Sequence, residues 1–560
     1  MTSVLLSATI PLMKRFIGLL LALLLPGLAA AQTPPPVVTI MRTPLIRPAP
    51  CTGAFVAHDL PHTTTTADGI IRMYQANGAG LAVADLDNDG DLDLVLGAEA
   101  GENSLLWNDG ALRFRKTTLG QGPTRMVSAV DVDADGRIDL VLTTNTGAVQ
   151  YWRNMGDGDF QRRVLPGVAQ PAYVIAWADL DRDGDPDLVT GAYDAGFLTD
   201  RGSEYLVGPG SGVFVYENRS GSFAVAAQLA DEAQALALAV TDLNGDGLDD
   251  LLVGNDFDVP DYVFLQTGSG LGPDGWRAAE PFAVTTHSTM SLDLADVNND
   301  GRMDIFAGDM KPVNRDTATL AAWIPLMQAG YERRRYRDLQ RNENVLQRAD
   351  GTGDYANLAY RLGLDATGWT WSAKFGDLDN DGLLDLYAVN GMIEAEIFAG
   401  LPNHELVEAN QVRRNLGNRF APGPEEWGLG STRSGRSMVM ADLDQDGDLD
   451  IVVNNLRAPA QLFENRVCGG DGLLVDLAWP GSPNPAALGA QVRLETDAGA
   501  QLRLVIAQSG YLSSGPTQLH FGPAAGATPR TLVITWPDRA QTRVEDIAVH
   551  ERVQVVRTSN

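Results

Sequence analysis

Cysteine and histidine are scarce in this chain: two cysteines and six histidines in 560 residues. The histidines (His58, His62, His287, His404, His520 and His550) are scattered, and no H-E-x-x-H or G-x-S-x-G arrangement occurs. Zinc-protease and serine-hydrolase chemistry therefore have no foothold. Basic residues are also few, with 42 Lys and Arg against 72 Asp and Glu and a net charge of −30. Such a balance excludes nucleic acid as a partner, because affinity for phosphate backbones comes from clustered positive charge. Long apolar runs are missing outside the N-terminus, so no transmembrane segment is expected.

What the chain does contain is one nine-residue pattern, D-x-[D/N]-x-D-G-x-x-D, seven times over. Positions one, three, five and nine are Asp85, Asp87, Asp89 and Asp93 in the first copy and Asp131, Asp133, Asp135 and Asp139 in the second. They are Asp179, Asp181, Asp183 and Asp187 in the third, and Asp242, Asn244, Asp246 and Asp250 in the fourth. The fifth has Asp296, Asn298, Asp300 and Asp304; the sixth has Asp377, Asp379, Asp381 and Asp385. The seventh has Asp442, Asp444, Asp446 and Asp450. Position six is always glycine, which can adopt the left-handed conformation that folds a loop back on itself.

Asp-Gly is common turn chemistry, and that reading covers one or two copies. It does not cover three or four carboxylates at fixed spacing in every copy. Like charges a few ångströms apart repel by about 1 kcal/mol per pair even in water. Without a cation each loop opposes its own turn. Oxygen ligands on a flexible loop suit calcium, and the opening resembles that of an EF-hand. Position seven varies freely (Asp91, Arg137, Asp185, Leu248, Arg302, Leu383, Asp448), as a main-chain carbonyl ligand permits. The expectation is up to seven calcium ions, bound more weakly by the two loops that carry Asn.

Residues 1–31 read as a secretory signal: Lys14 and Arg15 precede an apolar run from Phe16 to Leu25, and Ala29-Ala30-Ala31 offers a cleavage site before Gln32. No Cys follows that site, so a lipid anchor is not expected. The predicted location is secreted, periplasmic or cell-surface, where calcium is abundant. Residues 32–50 are proline-rich and read as an extended linker.

Short apolar runs flank each acidic loop, and two further strand-like runs follow in most units, one of them ending near an Asn (Asn154, Asn218). Repeated four-stranded units without intervening helices predict an all-β fold, a seven-bladed β-propeller with cation-binding hairpin loops, over residues 51–468. The last unit runs out after Phe463-Glu464-Asn465-Arg466, at a third strand. Phe55 to Leu60 resembles the missing fourth strand, so the N-terminal strand is expected to complete the last blade. Cys51 and Cys468 then fall at the two ends that a hairpin turn would otherwise join. A Cys51–Cys468 disulfide is expected there, two buried free thiols being the alternative.

These repeats resemble the FG-GAP/VCBS propeller proteins, and the whole resembles the cartilage-acidic-protein-like group, which adds a C-terminal ASPIC/UnbV domain. His287-Ser288-Thr289-Met290, Trp369-Thr370-Trp371, Asn390-Gly391 and Asn454-Asn455 carry the likeness in the repeats. Leu488-Gly489-Ala490-Gln491-Val492, Ser509-Gly510-Tyr511, Ser513-Ser514 and Trp536-Pro537-Asp538 carry it in residues 469–560. Phe521-Gly522-Pro523-Ala524 departs from the Gly-Leu-Gly stretch usual in that family. Read alone, the tail still predicts a small β-sandwich, from strand-like runs at Leu473–Leu477, Gln491–Glu495, Leu502–Ala507, Leu532–Thr535 and Val553–Val556.

Strand order puts the long insertions (193–211, 309–343 and 391–409) on the face opposite the acidic loops, around the mouth of a central channel. The 309–343 insertion, read as partly helical, holds Trp323, Tyr331, Arg333, Arg334, Arg335 and Arg337; its charges are expected to pair internally with Glu332, Asp338 and Glu343. Trp369 and Trp371 are expected to pack between blades. The expected function is a monomeric binding or adhesion module for an extracellular or periplasmic protein or glycan, with calcium structural. The alternative is a polysaccharide lyase or hydrolase working at the insertion face, which needs titratable residues outside the acidic loops to converge at the channel mouth.

Overall fold

The computed structural model describes residues 36–46, 50–144, 147–194, 212–257, 259–331, 339–350, 354–524 and 526–558. The expected signal segment, residues 1–31, lies outside the described residues. The fold is all-β, built of successive four-stranded antiparallel sheets consistent with a propeller. The first strands of the sheets that hold the acidic loops are Leu81–Ala84, Val127–Val130, Val174–Ala178, Ala235–Thr241, Ser291–Ala295, Gly368–Gly376 and Gly435–Ala441. In each sheet the second strand begins at the ninth loop position: Asp93, Asp139, Asp187, Asp250, Asp304, Asp385 or Asp450. The loop thus connects two hydrogen-bonded strands, and its last carboxylate already belongs to the ladder.

First strands such as Leu81–Ala84 and Val127–Val130 are buried along their whole length, whereas the outer strand Phe114–Gln121 is mostly exposed. Continuous small apolar runs suit strands covered on both faces. The cores lie between neighbouring sheets. Leu81, Leu94 and Leu106 of sheet one pack with Val439, Val452 and Leu462 of sheet seven. Ala295 and Phe306 of sheet five pack with Ala373, Leu386 and Ala388 of sheet six. Each fully buried Leu, Val or Phe stabilises by roughly 1.5–3 kcal/mol, so every sheet depends on both neighbours.

Sheet seven takes its fourth strand from the other end of the chain. Ala54–Thr63 pairs antiparallel with Pro459–Arg466, with Phe55 opposite Asn465 and His58 opposite Leu462. Cys51 and Cys468 form a disulfide across Cα atoms 5.7 Å apart, where other sheets have a hairpin turn.

The proline-rich segment is only partly a linker. Val38–Pro44 forms a strand paired along its length with Glu551–Arg557, from Val38 opposite Arg557 to Pro44 opposite Glu551. Val38-Thr39-Ile40-Met41-Arg42-Thr43 is β-branched-rich and free of proline, so it joins a ladder; the prolines only bound it. The tail is two four-stranded sheets. One runs in the order Val38–Pro44, Glu551–Arg557, Leu473–Ala478, Leu519–Phe521, and the other Ala500–Leu504, Gln491–Thr496, Pro529–Thr535, Gln541–Glu545. The run expected at Leu502–Ala507 is in strand only to Leu504.

Beyond that strand the chain leaves the tail and enters the middle of the repeat sheets. Ser513 and Ser514 pair in parallel with Leu81 and Ala82 of sheet one. The Ala129 N–H of sheet two donates to Ser514 Oγ at 3.2 Å, and the Trp177 N–H of sheet three to Gln508 Oε1 at 3.2 Å. Ile506 and Gln508 line a small cavity together with Leu238, Ala239 and Val240 of sheet four. The Gly510 N–H donates to Leu292 O of sheet five at 2.8 Å, and the Tyr511 N–H to Ser372 Oγ of sheet six at 3.3 Å. The Met438 N–H of sheet seven donates to Ser513 Oγ at 3.3 Å. One tail loop therefore bonds to the first strands of six acidic-loop sheets and lines a cavity with that of sheet four. Tyr511, fully buried, lies 5.2 Å from the Trp371 ring, and its hydroxyl donates to Asn77 O at 3.0 Å. The space expected as an open channel is filled by the protein's own tail.

Two outcomes follow from this closure. Mass spectrometry of non-reduced peptides is expected to recover Cys51 linked to Cys468, and Cys51→Ser is expected to lower stability by about 2–5 kcal/mol in chemical denaturation. Tyr511→Ala is expected to cost about 3–5 kcal/mol by the same measurement, since it empties an aromatic site at the centre of the sheets.

Candidate metal centres

Each acidic loop is wound by its own backbone N–H groups. In the first, the N–H groups of Asp89 and Gly90 donate to the two oxygens of Asp85, both at 3.1 Å. The Asp91 N–H donates to Asp89 Oδ1 at 2.9 Å. The same position-seven to position-five bond recurs at Arg137, Asp185, Leu248, Arg302, Leu383 and Asp448. The position-six glycines all have positive φ, from 83° at Gly301 to 102° at Gly184. Position four is also left-handed in Asn88, Ala134, Arg182, Asn299, Asn380 and Gln445.

Among the described residues, five loops gather three carboxylates whose oxygens lie within 4.8 Å of one another. Four of these triads are positions one, three and nine: Asp85, Asp87 and Asp93; Asp131, Asp133 and Asp139; Asp179, Asp181 and Asp187; Asp442, Asp444 and Asp450. Loop six gathers Asp377, Asp379 and Asp381 instead, leaving Asp385 outside the triad. Asp89, Asp135, Asp183 and Asp446 stand outside their triads. The fourth and fifth loops (Asp242, Asp246 and Asp250; Asp296, Asp300 and Asp304) do not form one. There Asn244 and Asn298 turn their amides to Asp246 and Asp300, donating at 2.9 Å in both.

Two observations fit a hard cation in the five gathered loops. Asp179 Oδ1, Asp379 Oδ1, Asp385 Oδ2 and Asp444 Oδ1 are buried with no hydrogen-bond donor. Buried anionic oxygens of this kind are rare unless something binds them. Burial also raises the ninth-position carboxyls, Asp93 and Asp139 to about 7 and Asp187 to about 8, against the backbone N–H groups that pull them down. Asp85 and Asp131 are raised to about 6, again by burial first. These shifts measure the cost of holding negative charge out of water, which a bound divalent ion removes. The donors are all oxygens, the set that calcium takes and zinc does not.

The ninth-position aspartate also joins loop to sheet. Asp93 accepts from the Leu86 N–H of its loop at 3.1 Å and from the Asn108 N–H of the third strand at 2.8 Å. The third-strand bond recurs in every sheet, from Asn154, Asn218, Gln266, Ala349, Asn415 and Asn465. In five of the seven sheets the side chain of that residue reaches further, to the preceding loop. Asn154 Nδ2 donates to Ile138 O of its own loop and to Leu86 O of the preceding loop, at 3.0 and 2.7 Å. Asn465 does the same with Leu449 O and Leu378 O, and Asn415 with Leu384 O and Val297 O. Gln266 reaches Leu180 O, and Asn108 of sheet one reaches Leu443 O of sheet seven at 2.8 Å. In the sequence these asparagines mark only a strand end, and their role as clasps between loops is not visible there. Their signal was present in the recurrence of Asn at that end.

The tail lies against the acidic loops. His520 Nε2 is 2.9 Å from Gly447 O, Arg552 Nη1 donates to Gly90 O at 3.2 Å, and Gln501 Nε2 donates to Gly382 O at 3.5 Å. A Cβ on Gly522 would come within 2.3 Å of Asp377 Oδ2, so the departure at Phe521-Gly522-Pro523-Ala524 keeps glycine where the tail meets loop six. The insertions are on the far side. Thr317–Tyr331 is a helix, as expected, and its Trp323 packs 6.0 Å from Trp369. Trp369 and Trp371 are buried. Arg333, Arg334, Arg335 and Arg337, with Glu332 and Asp338, lie outside the described residues, as does most of 193–211. Among the described residues of this side several titratable groups are buried and paired, while Glu396 and His404 of the third insertion are exposed. Arg125 Nη1 meets Glu99 Oε2 at 2.7 Å, Tyr193 donates to Asp256 at 3.2 Å, and Asp309 accepts from the His287 N–H at 2.8 Å.

Comparison with known proteins agrees with this geometry. A profile of FG-GAP-like repeats matches residues 85–142, 131–190 and 242–307, and a profile of ASPIC and UnbV matches residues 481–560. Integrin alpha-7 of Homo sapiens and of Mus musculus are each 31% identical over 170 residues, 29% of this chain. The match spans 14% of the length of those relatives. Crystal structures of BBS1N in complex with ARL6DN, soaked with mercury or lead, give TM-scores of 0.39 and 0.38 at 8% and 10% identity. They cover 73% and 74% of this chain and 97% of theirs.

Asn465→Ala is expected to destabilise by about 1–3 kcal/mol, because it strands two buried carbonyls, one in each of two neighbouring loops. Urea denaturation checks this.

Proposed function

From a chain that carries FG-GAP-like repeats followed by a C-terminal ASPIC/UnbV domain, we propose an exported, calcium-stabilised propeller of seven blades that works as a binding or adhesion module. The observation that carries this reading is the recurrence of gathered, oxygen-only acidic triads at one end of successive sheets. When bound, calcium neutralises those carboxylates and supplies a common anchor for the loop backbone. The chain's own residues do the rest. The ninth-position aspartate holds the loop to the third strand, and the strand-three asparagine holds one loop to the next. Asn108 to Leu443, the shared core of sheets one and seven and the Cys51–Cys468 disulfide support a closed ring. Loops four and five complete the count of seven sites.

Export is supported by the N-terminal apolar segment and by the disulfide, which persists only in oxidising compartments. No helix among the described residues is long and apolar enough to cross a membrane. The ligand is a protein or glycan outside the cytosol, and the face for it is the one with the insertions, since the tail takes the acidic-loop side and fills the centre. A hydrolase or lyase at that face would need accessible titratable groups, and Glu99, Asp256 and Asp309 are buried at 6%, 5% and 0% exposure.

EDTA is expected to lower the Tm sharply and calcium to restore it. At a hundredfold excess over Kd each independent site adds about 2.7 kcal/mol. A Tm that chelator leaves unchanged contradicts the reading. Protein and glycan arrays probed with and without calcium then identify the ligand.

A further inference from the structure

In each acidic-loop sheet one third-strand residue stands across the ladder from the ninth-position aspartate. Leu140 pairs with Trp152 in sheet two, so the next step sets Asp139 opposite Arg153. Leu188 with Tyr216 sets Asp187 opposite Glu217, Leu386 with Arg413 sets Asp385 opposite Arg414, and Ile451 with Phe463 sets Asp450 opposite Glu464. The corresponding residues in sheets one, four and five are Trp107, Leu265 and Arg348. The position is thus acidic, neutral or basic from sheet to sheet while the loop beside it hardly changes.

Arg153 and Arg414 reach into their loops. Arg153 Nε is 2.5 Å from Asp133 Oδ2 and its Nη2 is 3.1 Å from Asp135 Oδ2. Arg414 Nη2 is 2.5 Å from Asp379 Oδ2 and 3.2 Å from Asp381 Oδ2, while Asp379 Oδ1 keeps no donor. The guanidinium occupies one edge of the third-position carboxylate and leaves the other for an ion. Glu217 and Glu464 do the opposite, adding a carboxylate beside their loops. Their counter-ions, Arg219 and Arg466, sit two residues on toward solvent, at 2.8 and 2.7 Å. Position seven follows the same trend. Arg137 pairs with Asp135 and Arg302 with Asp300, whereas Asp91, Asp185 and Asp448 hold that place in loops one, three and seven.

Counting positions one, three, five, seven and nine with the cross-strand residue, loops three and seven carry six carboxylates and no arginine. Loop one carries five; loop six has four against one arginine; loop four has three. Loop two has four against two arginines, and loop five three against two. Ligand charge is a main control on calcium affinity in loops of this kind.

We propose that the cross-strand residue, with position seven, sets the order in which the loops take up calcium: three and seven first, then one, then four and six, with two and five last. The inference rests on the calcium reading above and adds that the sites are graded. The low-affinity loops are then the ones whose order responds to changes in external calcium, while loops three and seven hold their sheets throughout.

Hydrogen exchange of the full chain, followed peptide by peptide across a titration of free calcium, reads a midpoint for each loop. The expected result is protection of residues 179–187 and 442–450 at the lowest calcium and of 131–139 and 296–304 at the highest. Arg414→Gln is expected to move the midpoint of 377–385 to lower calcium by roughly threefold to tenfold, with the other loops unmoved. Glu464→Gln is expected to move 442–450 the other way. A single midpoint shared by all loops, or variants that shift none, overturns the grading and leaves calcium binding standing. Loops whose exchange ignores calcium altogether overturn both.

Discussion

A buried carboxylate has three ways to exist: it takes a proton, it collects hydrogen-bond donors, or it meets a cation. The ninth-position aspartates stand at that choice. Asp93, Asp139 and Asp187 are almost wholly buried, each accepts backbone N–H groups from loop and third strand, and burial still raises each toward or beyond neutrality. Two or three more carboxylates crowd the same few ångströms. Backbone donors alone do not discharge such a cluster, and protonating it would abandon the pattern that recurs along the chain. A divalent ion resolves the conflict, and the rest of the architecture is arranged around the place where it fits.

The loop is therefore a junction more than a pocket. Its first carboxylate winds the turn, its last belongs to the ladder, and the asparagine it holds reaches the carbonyl of the preceding loop. Coupling of this kind makes the stability of one sheet depend on its neighbour, in addition to the apolar cores shared between sheets. Position four adds a second contact in the other direction, with Asn380 donating to Gly447 O and Gln445 to Gly90 O. The tail completes the arrangement, with residues from Ile506 to Ser514 bonded to the first strands of six sheets. The sheets are held by their loops, by the cores they share and by the tail segment between their first strands.

Much of this was legible in the residues. The acidic spacing located every loop and every second strand, and the count of strands in the last repeat pointed to Ala54–Thr63 and to the cysteine pair. Local chemistry repeats, so a single chain displays it many times over. What was hidden depends on contacts between distant parts. Val38–Pro44 lies among prolines, and nothing nearby marks Glu551–Arg557 as its partner. The Ser509-to-Ser514 segment reads as a loop because its hydrogen bonds are single contacts to many strands. Its true partners are the small apolar first strands, which look complete without it. The asparagine clasp was half visible, as a repeated residue whose second partner lies one sheet away.

Native mass spectrometry of the chain across a calcium titration counts the ions directly. The account predicts at least five calcium ions retained per chain, rising toward seven as calcium increases. A chain whose mass does not change with calcium would contradict it.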